Sequence, residues 1–302
     1  MPLHIKTPLL ESLPMSLVTQ KDVLLKMEAL QPSGSFKIRG IGFACETYAK
    51  QGATRFISSS GGNAGLAVAY AGRALGIPVT VVVPQTTSSH AVDLLELEHA
   101  SVIVHGASWQ EANEHALSLL GPKDAFLHPF DNPLLWQGHA SIMDEVKADH
   151  RKPDAVVLSV GGGGLLAGVV EGLQRLGWHD VPVVAVETVG AGSFNAAINA
   201  GHTVDIGCID TVATSLGARR VSEQALACAK AHPIHSILVS DSASVAACKR
   251  FLADHRILVE PACGASLACV YDNHPVLAEY NSLAVIVCGG STTTVDKLLS
   301  LS

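Results

Sequence analysis

Lys37 stands in the stretch Pro32-Ser33-Gly34-Ser35-Phe36-Lys37-Ile38-Arg39-Gly40, a turn followed at once by apolar periodicity over residues 38–48. Pro32, Ser33 and Gly34 mark the turn and Ser35 is the candidate N-cap, so the lysine amine is expected at a helix N-terminus. The partial positive charge there opposes a further cation and favours a neutral amine. A neutral lysine is a nucleophile that condenses with carbonyls to form Schiff bases. A solvated lysine at a helix start is the competing reading, and the rest of the chain has to decide between them.

Two other turns carry chemistry. Gly161, Gly162, Gly163 and Gly164 lie between a strand-like run and a helical one, leaving backbone N–H groups unshielded at a helix start, which is a ready anion site. No lysine and serine follow, so this is not a P-loop, and a phosphate there would be cradled by main chain. The same residues also satisfy a dinucleotide spacing, with Gly162, Gly164 and Ala167 as G-x-G-x-x-A and Glu187 closing the next strand. That alternative leaves the lysine turn without a role. The stretch Ser58-Ser59-Ser60-Gly61-Gly62-Asn63-Ala64-Gly65 is a second strand-to-helix turn whose small polar residues could surround a carboxylate. An ordinary cap, with serine and asparagine satisfying helix donors, is the alternative there.

The elements that must position these turns alternate between strand and helix. Strands are expected at residues 23–28, 54–58, 77–84, 101–104, 154–160, 181–187 and 283–288. Helices are expected at 64–75, 88–98, 109–119, 139–149, 165–176, 222–231, 242–253 and 264–271. Such alternation argues for βαβ units and parallel sheets flanked by helices. Pro122, Pro129 and Pro133 cluster between residues 121 and 136, the expected crossing between two lobes, with His139 helping to start the helix beyond.

Composition excludes other classes. Of 302 residues 48% are hydrophobic and 16% charged, with 27 glycines, which suits a compact enzyme rather than a disordered or fibrous chain. A net charge of −7 without a basic run argues against nucleic acid, so the expected partner is a small molecule. Seven scattered cysteines without a C-x-x-C pair suggest reduced thiols rather than a disulfide framework or a zinc site. His232 and His235 have an H-x-x-H spacing but no third ligand in view. The chain opens Met-Pro-Leu-His-Ile-Lys, with no apolar signal core and no membrane-length apolar run, and a cytoplasmic protein without a membrane partner is expected.

Taken in order, Pro32 to Lys37, Ser59 to Gly65, Gly161 to Leu165 and Val287-Cys288-Gly289-Gly290-Ser291 resemble the fold-type II pyridoxal phosphate (PLP) enzymes. Within that superfamily the chain looks most like the L-serine dehydratases, from about Lys6 to the last strand, including Pro129-Phe130-Asp131 and Val259-Glu260-Pro261-Ala262-Cys263-Gly264. The resemblance implies a two-lobe, tryptophan synthase β-like α/β fold. Residues 1–30 and 131–302 would form a large PLP-binding domain, and 31–130 a small domain closing over it. It implies β-elimination of L-serine to pyruvate and ammonia, with L-threonine to 2-oxobutyrate as a second activity, and a homodimer. Threonine deamination as the main activity, racemisation, a dehydrogenase and a non-catalytic ligand-binding relative are the alternatives. With the chain ending at Ser302, feedback control through a regulatory amino-acid-binding domain is not expected.

By the same resemblance Lys37 forms the Schiff base and then acts as base for the Cα proton. Phe36 and Ser215 face the two sides of the cofactor ring, and Asn63 bonds its phenolic oxygen. Gly161, Gly162, Gly163, Gly164 and Leu165 hold the phosphate, itself the family's proton donor to the leaving hydroxyl. Ser60, Gly61, Asn63 and Ala64 hold the substrate carboxylate. Cys288 falls against the pyridine nitrogen, where a thiol supports a neutral ring and favours loss of the β-hydroxyl over transamination. Glu187, Ala191 and Ser193, with carbonyls near Leu216 and Ala218, match a monovalent-cation site for potassium. Gly61 departs from the pattern: related racemases carry serine there and many liver-type dehydratases alanine. Its missing side chain removes a second base and is expected to enlarge the pocket.

Overall fold

The run Val-Thr-Val-Val-Val at Val79–Val83 buries every side chain, which a strand can do only with both faces covered. The computed structural model describes residues 1–149 and 152–301 and places such strands in two separate sheets. The chain enters through β1 (Leu9–Glu11), α1 (Leu13–Thr19) and β2 (Asp22–Lys26), then runs through α2 (Lys37–Lys50), β3 (Arg55–Ser58), α3 (Asn63–Leu75), β4 (Val79–Val83), α4 (Ser89–Leu97), β5 (Ser101–Val104), α5 (Trp109–Ser118) and β6 (Asp124–Phe126). It continues with α6 (Pro133–Asp149), β7 (Ala155–Ser159), α7 (Gly164–Arg175), β8 (Val183–Thr188), α8 (Ser193–Ala200), α9 (Glu223–Ala231), β9 (Ile234–Val239), α10 (Asp241–His255), α11 (Pro261–Tyr271), β10 (Ser282–Ile286) and α12 (Val295–Ser300).

The four-stranded sheet has the order β5-β4-β3-β6 and is wholly parallel. The six-stranded sheet has the order β1-β2-β10-β7-β8-β9, parallel except where the short edge strand β1 runs against β2. Strands from the first 26 residues therefore complete a sheet built mainly from the second half. Each sheet has its own apolar core.

Helix α6 joins the two bodies. A Cβ on Gly138 would lie 2.4 Å from the Arg39 carbonyl of α2, and one on Gly168 of α7 would lie 2.4 Å from His139 Cβ. Glycine on these faces lets α2, α6 and α7 touch at backbone distance. Arg39, fully buried, bonds Glu28 at 2.6 Å and Glu145 at 2.7 Å, and Lys26 Nζ reaches Glu145 at 2.5 Å. This buried network pins α2 to the end of β2 and to α6.

One expectation about the elements needs correction, and several short elements were not foreseen. α6 begins at Pro133, whose ring suits a first helical turn, so His139 is an interior residue and starts nothing. It is fully buried with neither ring nitrogen hydrogen-bonded. The proline-rich crossing contains β6, a three-residue strand registered on β3 with Phe56 opposite Ala125. The short β1, the half-exposed edge strand β9, and α1, α8 and α12 were not expected either. Among the described residues no helix is long and apolar enough to cross a membrane.

Candidate active site

Backbone pairing brings Lys37 to Cys288. The N–H of Phe36 donates to the Cys288 carbonyl at 3.1 Å, the N–H of Gly290 donates to the Gly34 carbonyl at 3.0 Å, and Ser35 bridges Gly289. Gly289, at φ +107°, passes so close that a Cβ would meet the Gly34 carbonyl at 2.3 Å. Ser35 is drawn into this bridge, so it is not the N-cap. Phe36 occupies that position without a side-chain bond, and the Ser35 hydroxyl is buried without a partner.

The carboxyl ends of β3, β7 and β10 point at the same place, where parallel strands leave room for a ligand. A pocket opens there, lined by Phe36, Lys37, Asn63, Phe130, Ser215, Leu216, Glu260 and Cys288 and by the loop Gly161, Gly162, Gly163, Gly164 and Leu165. Lys37 Nζ donates to the Pro129 carbonyl at 2.6 Å and lies 5.2 Å from the centre of the Phe36 ring. Burial brings its pKa down from 10.5 to about 8, against the opposing pull of Glu260. The sequence located the lysine by its helix start, but loss of water is the main reason its amine is readily neutral. Phe36 also packs against His139, with ring centroids 4.9 Å apart and the rings tilted by 57°.

Each glycine of the loop meets a different constraint. A Cβ at Gly161 would approach Leu216 Cα at 3.0 Å, and one at Gly162 would enter the Phe130 ring at 2.3 Å. Gly163 has φ +92°, and a Cβ at Gly164 would meet the Phe130 carbonyl at 2.7 Å. His128 supports this wall, its Nδ1 accepting from the N–H of Asp131 at 2.8 Å. Burial holds the imidazole down at about 4, so it is neutral.

The helices differ in how their N-termini are capped. Helices α4, α5, α9, α10 and α12 are capped by Ser88, Ser108, Ser222, Ser240 and Thr294. Helices α3 and α7, which start at the pocket, have glycine caps, Gly62 and Gly163, with no side-chain bond. Their first N–H groups are thus left for another acceptor. The alternative of serine or asparagine capping α3 is overturned.

Of the serine-rich loop only Asn63 lines the pocket; Ser60 and Gly61 sit in the turn entering α3 and Ala64 in its first turn. Ser60 Oγ accepts from the Gly62 N–H at 3.3 Å, and Ser59 turns away to Asn113. The space beside Gly61 is filled: a Cβ there would lie 2.8 Å from the Thr87 methyl and 3.2 Å from Val83. The expectation that Gly61 enlarges the pocket therefore fails, because a neighbouring threonine takes up the volume.

Asn63 Nδ2 donates to Glu260 Oε1 at 2.7 Å, and its Oδ1 accepts from the Ser291 N–H at 2.8 Å. Ser215 Oγ is 3.5 Å from the same Nδ2. Glu260 is buried, which raises its pKa to about 7 while hydrogen bonds from Ser215 and Asn63 pull the other way. The Cys288 thiol is pushed well above its ordinary range, first by its bond with Cys263 and then by burial, so it stays protonated. Sequence reasoning assigned no role to Pro129, Phe130, Glu260 or Ser291, although all four lie in stretches that carried the family resemblance.

Glu187, Ala191 and Ser193 cluster around the start of α8. Both Glu187 oxygens accept N–H groups at 2.8 Å, from Phe194 and Asn195, and burial raises the carboxyl to about 7. Ser193 Oγ is buried without a partner. Since Glu187 is wholly buried beneath α8, it cannot bond a ribose, and the dinucleotide alternative loses its acid. His232 bonds the Val181 carbonyl and His235 the Tyr280 hydroxyl. Among the described residues no group of three His, Cys, Asp or Glu side chains could hold a metal ion.

The human L-serine dehydratase/L-threonine deaminase is 50% identical over 311 residues, covering 99% of this chain and 95% of its own. The L-serine dehydratase of Dictyostelium discoideum is 44% identical, covering 99% and 92%. The crystal structure of a fungal L-serine ammonia-lyase from Rhizomucor miehei superimposes with a TM-score of 0.94 at 36% identity, covering 99% of this chain and 98% of that one. Residues 1–289 match the pyridoxal-phosphate dependent enzymes, and the chain belongs to that family.

Proposed function

We propose that the protein removes water and then ammonia from L-serine to give pyruvate, with L-threonine to 2-oxobutyrate as its second activity. The observation that carries this reading is a readily neutralised lysine and a protonated thiol in one pocket beside a main-chain anion cradle. The named activities of the relatives support it. When bound, pyridoxal phosphate supplies the electron sink for loss of the Cα proton and the β-hydroxyl.

The residues present fit that group. The open N–H groups of the glycine loop and of α7 suit a phosphate, Phe36 and Ser215 offer surfaces for the two faces of a ring, and Asn63 offers an N–H. When the group is bound, Lys37 would hold its aldehyde carbon, and its amine would be the base for the substrate Cα proton. Ser60, Gly61, Asn63 and Ala64, at the uncapped start of α3, hold the substrate carboxylate. Cys288 keeps its proton, and set against the ring nitrogen of the bound group it would leave that nitrogen neutral, which favours elimination over transamination. With no side chain at Gly61 to reprotonate the opposite face, racemisation is not supported.

The same reading assigns a potassium ion to Glu187 and Ser193 with the carbonyls of Ala191, Leu216 and Ala218. Its support is a buried carboxylate with no basic side chain bonded to it and an unpartnered buried hydroxyl. Residues 31–130 form the lobe that closes over the pocket, against 1–30 and 131–302. Free cysteines throughout suit a reducing cytoplasm, and a homodimer is the assembly expected from the family.

The test is 2-oxo acid release from L-serine and L-threonine by the PLP-loaded protein in potassium buffer. Pyruvate from serine, absent with Lys37→Ala, is the expected result. Release of no oxo acid from either substrate by a protein that binds PLP at Lys37 would overturn the assigned reaction.

A further inference from the structure

Asn63 is held by partners that leave its amide one orientation. The backbone N–H of Ser291 can only donate, so the atom 2.8 Å away must be the carbonyl oxygen Oδ1. Nδ2 then faces Glu260 Oε1 at 2.7 Å, giving it one of its two hydrogens. Among the described residues the second has no better acceptor than Ser215 Oγ at 3.5 Å, a distance at which little is gained.

Three parts of the fold meet at this amide. Asn63 opens α3 on the four-stranded sheet, while Glu260 immediately precedes α11 and Ser291 follows β10, both on the six-stranded sheet. Ser291 is tied down in turn, its Oγ donating to the Ser33 carbonyl at 2.6 Å in the turn before Lys37. Gly290 is moulded to Glu260, since a Cβ there would lie 2.5 Å from Glu260 Cβ.

We propose that Glu260 is a positioning residue: with Ser291 opposite, it fixes the Asn63 amide across the boundary between the two bodies so that the free Nδ2 hydrogen is offered to the pocket. This rests on the reading that the pocket takes pyridoxal phosphate and that Asn63 donates to its phenolic oxygen. Glu260 itself need not touch the cofactor. It acts through Asn63, and the two residues form one energetic unit.

The experiment is a double-mutant cycle read on cofactor retention and on the visible absorption of the bound cofactor. PLP affinity is measured by equilibrium titration for the holoprotein, Glu260→Ala, Asn63→Ala and the pair. Each single change is expected to weaken PLP about tenfold, the size of one hydrogen bond with a charged acceptor, and the double change by no more than either alone. Both singles shift the absorption maximum in the same direction. Glu260→Gln, which keeps an acceptor of the same shape, restores affinity to within about twofold and returns the maximum. Glu260→Met fills the volume without an acceptor and replaces the alanine variant if that one does not fold.

Losses that multiply to about a hundredfold in the double variant would show independent residues and overturn the proposal. An unchanged maximum in Glu260→Met would do the same. Failure of the underlying reading looks different: a wild-type protein with no visible PLP band dependent on Lys37 would remove the cofactor assignment.

Discussion

Burial, by lowering the Lys37 pKa from 10.5 to about 8, should make the amine reactive near neutrality. At pH 7 an amine of pKa 8 is about 9% unprotonated, against about 0.03% at 10.5, so the buried site gains about 300-fold in nucleophile. The assay is the rate at which apoprotein loads PLP between pH 6 and 11, followed by stopped-flow absorbance at limiting cofactor and corrected for titration of free PLP. The rate should rise with pH and level off near 8. The same displacement predicts a stability effect of known sign. The folded-state value lies below the unfolded one, so the ammonium destabilises the fold. That penalty, about 3 kcal/mol, is complete below pH 8 and fades as pH rises towards 10.5. Lys37→Met removes it but leaves the Pro129 carbonyl without its donor, which returns about 1 kcal/mol. Apoprotein carrying Lys37→Met should therefore be about 2 kcal/mol more stable than wild type in urea at pH 7, and the advantage should vanish by pH 10.5. A loading profile that keeps climbing to 10.5, or an equal stability gap at both pH values, would refute the reasoning.

Gly61→Ala should destabilise by about 1–3 kcal/mol, since its Cβ meets the Thr87 methyl, and Thr87→Ser in the same chain should recover most of that loss in denaturant titrations. Potassium should raise the melting temperature of the wild type over the same concentration of a large organic cation, and Glu187→Gln should abolish the difference. Arg39→Met should cost about 3–5 kcal/mol, because it leaves the Glu28 and Glu145 carboxylates without their shared partner. Urea midpoints would measure it, and a loss below about 1 kcal/mol would show that the network relaxes by taking in water.

What the sequence by itself determined is whatever depends on local pattern. The alternation of apolar runs with helical periodicity, and the glycine turn between residues 160 and 165, were enough for an α/β fold with parallel sheets and an anion loop. Four ordered motifs were enough for the PLP family, because turn chemistry is written within a few residues. Contacts between distant segments were not legible. Ser35 reads as a cap in isolation and is claimed by Gly289 in the fold. β6 has too few residues for any pattern and exists because β3 offers it an edge. Gly61 reads as empty space until Thr87 is seen filling it. The tertiary structure also decided why Lys37 is readily neutral: its helix start is local, but the larger effect is exclusion of water by walls from residues 130, 215, 260 and 288. Glu260 shows the same limit most plainly, since its partner Asn63 lies on the other sheet and only folding puts a carboxylate within 2.7 Å of that amide.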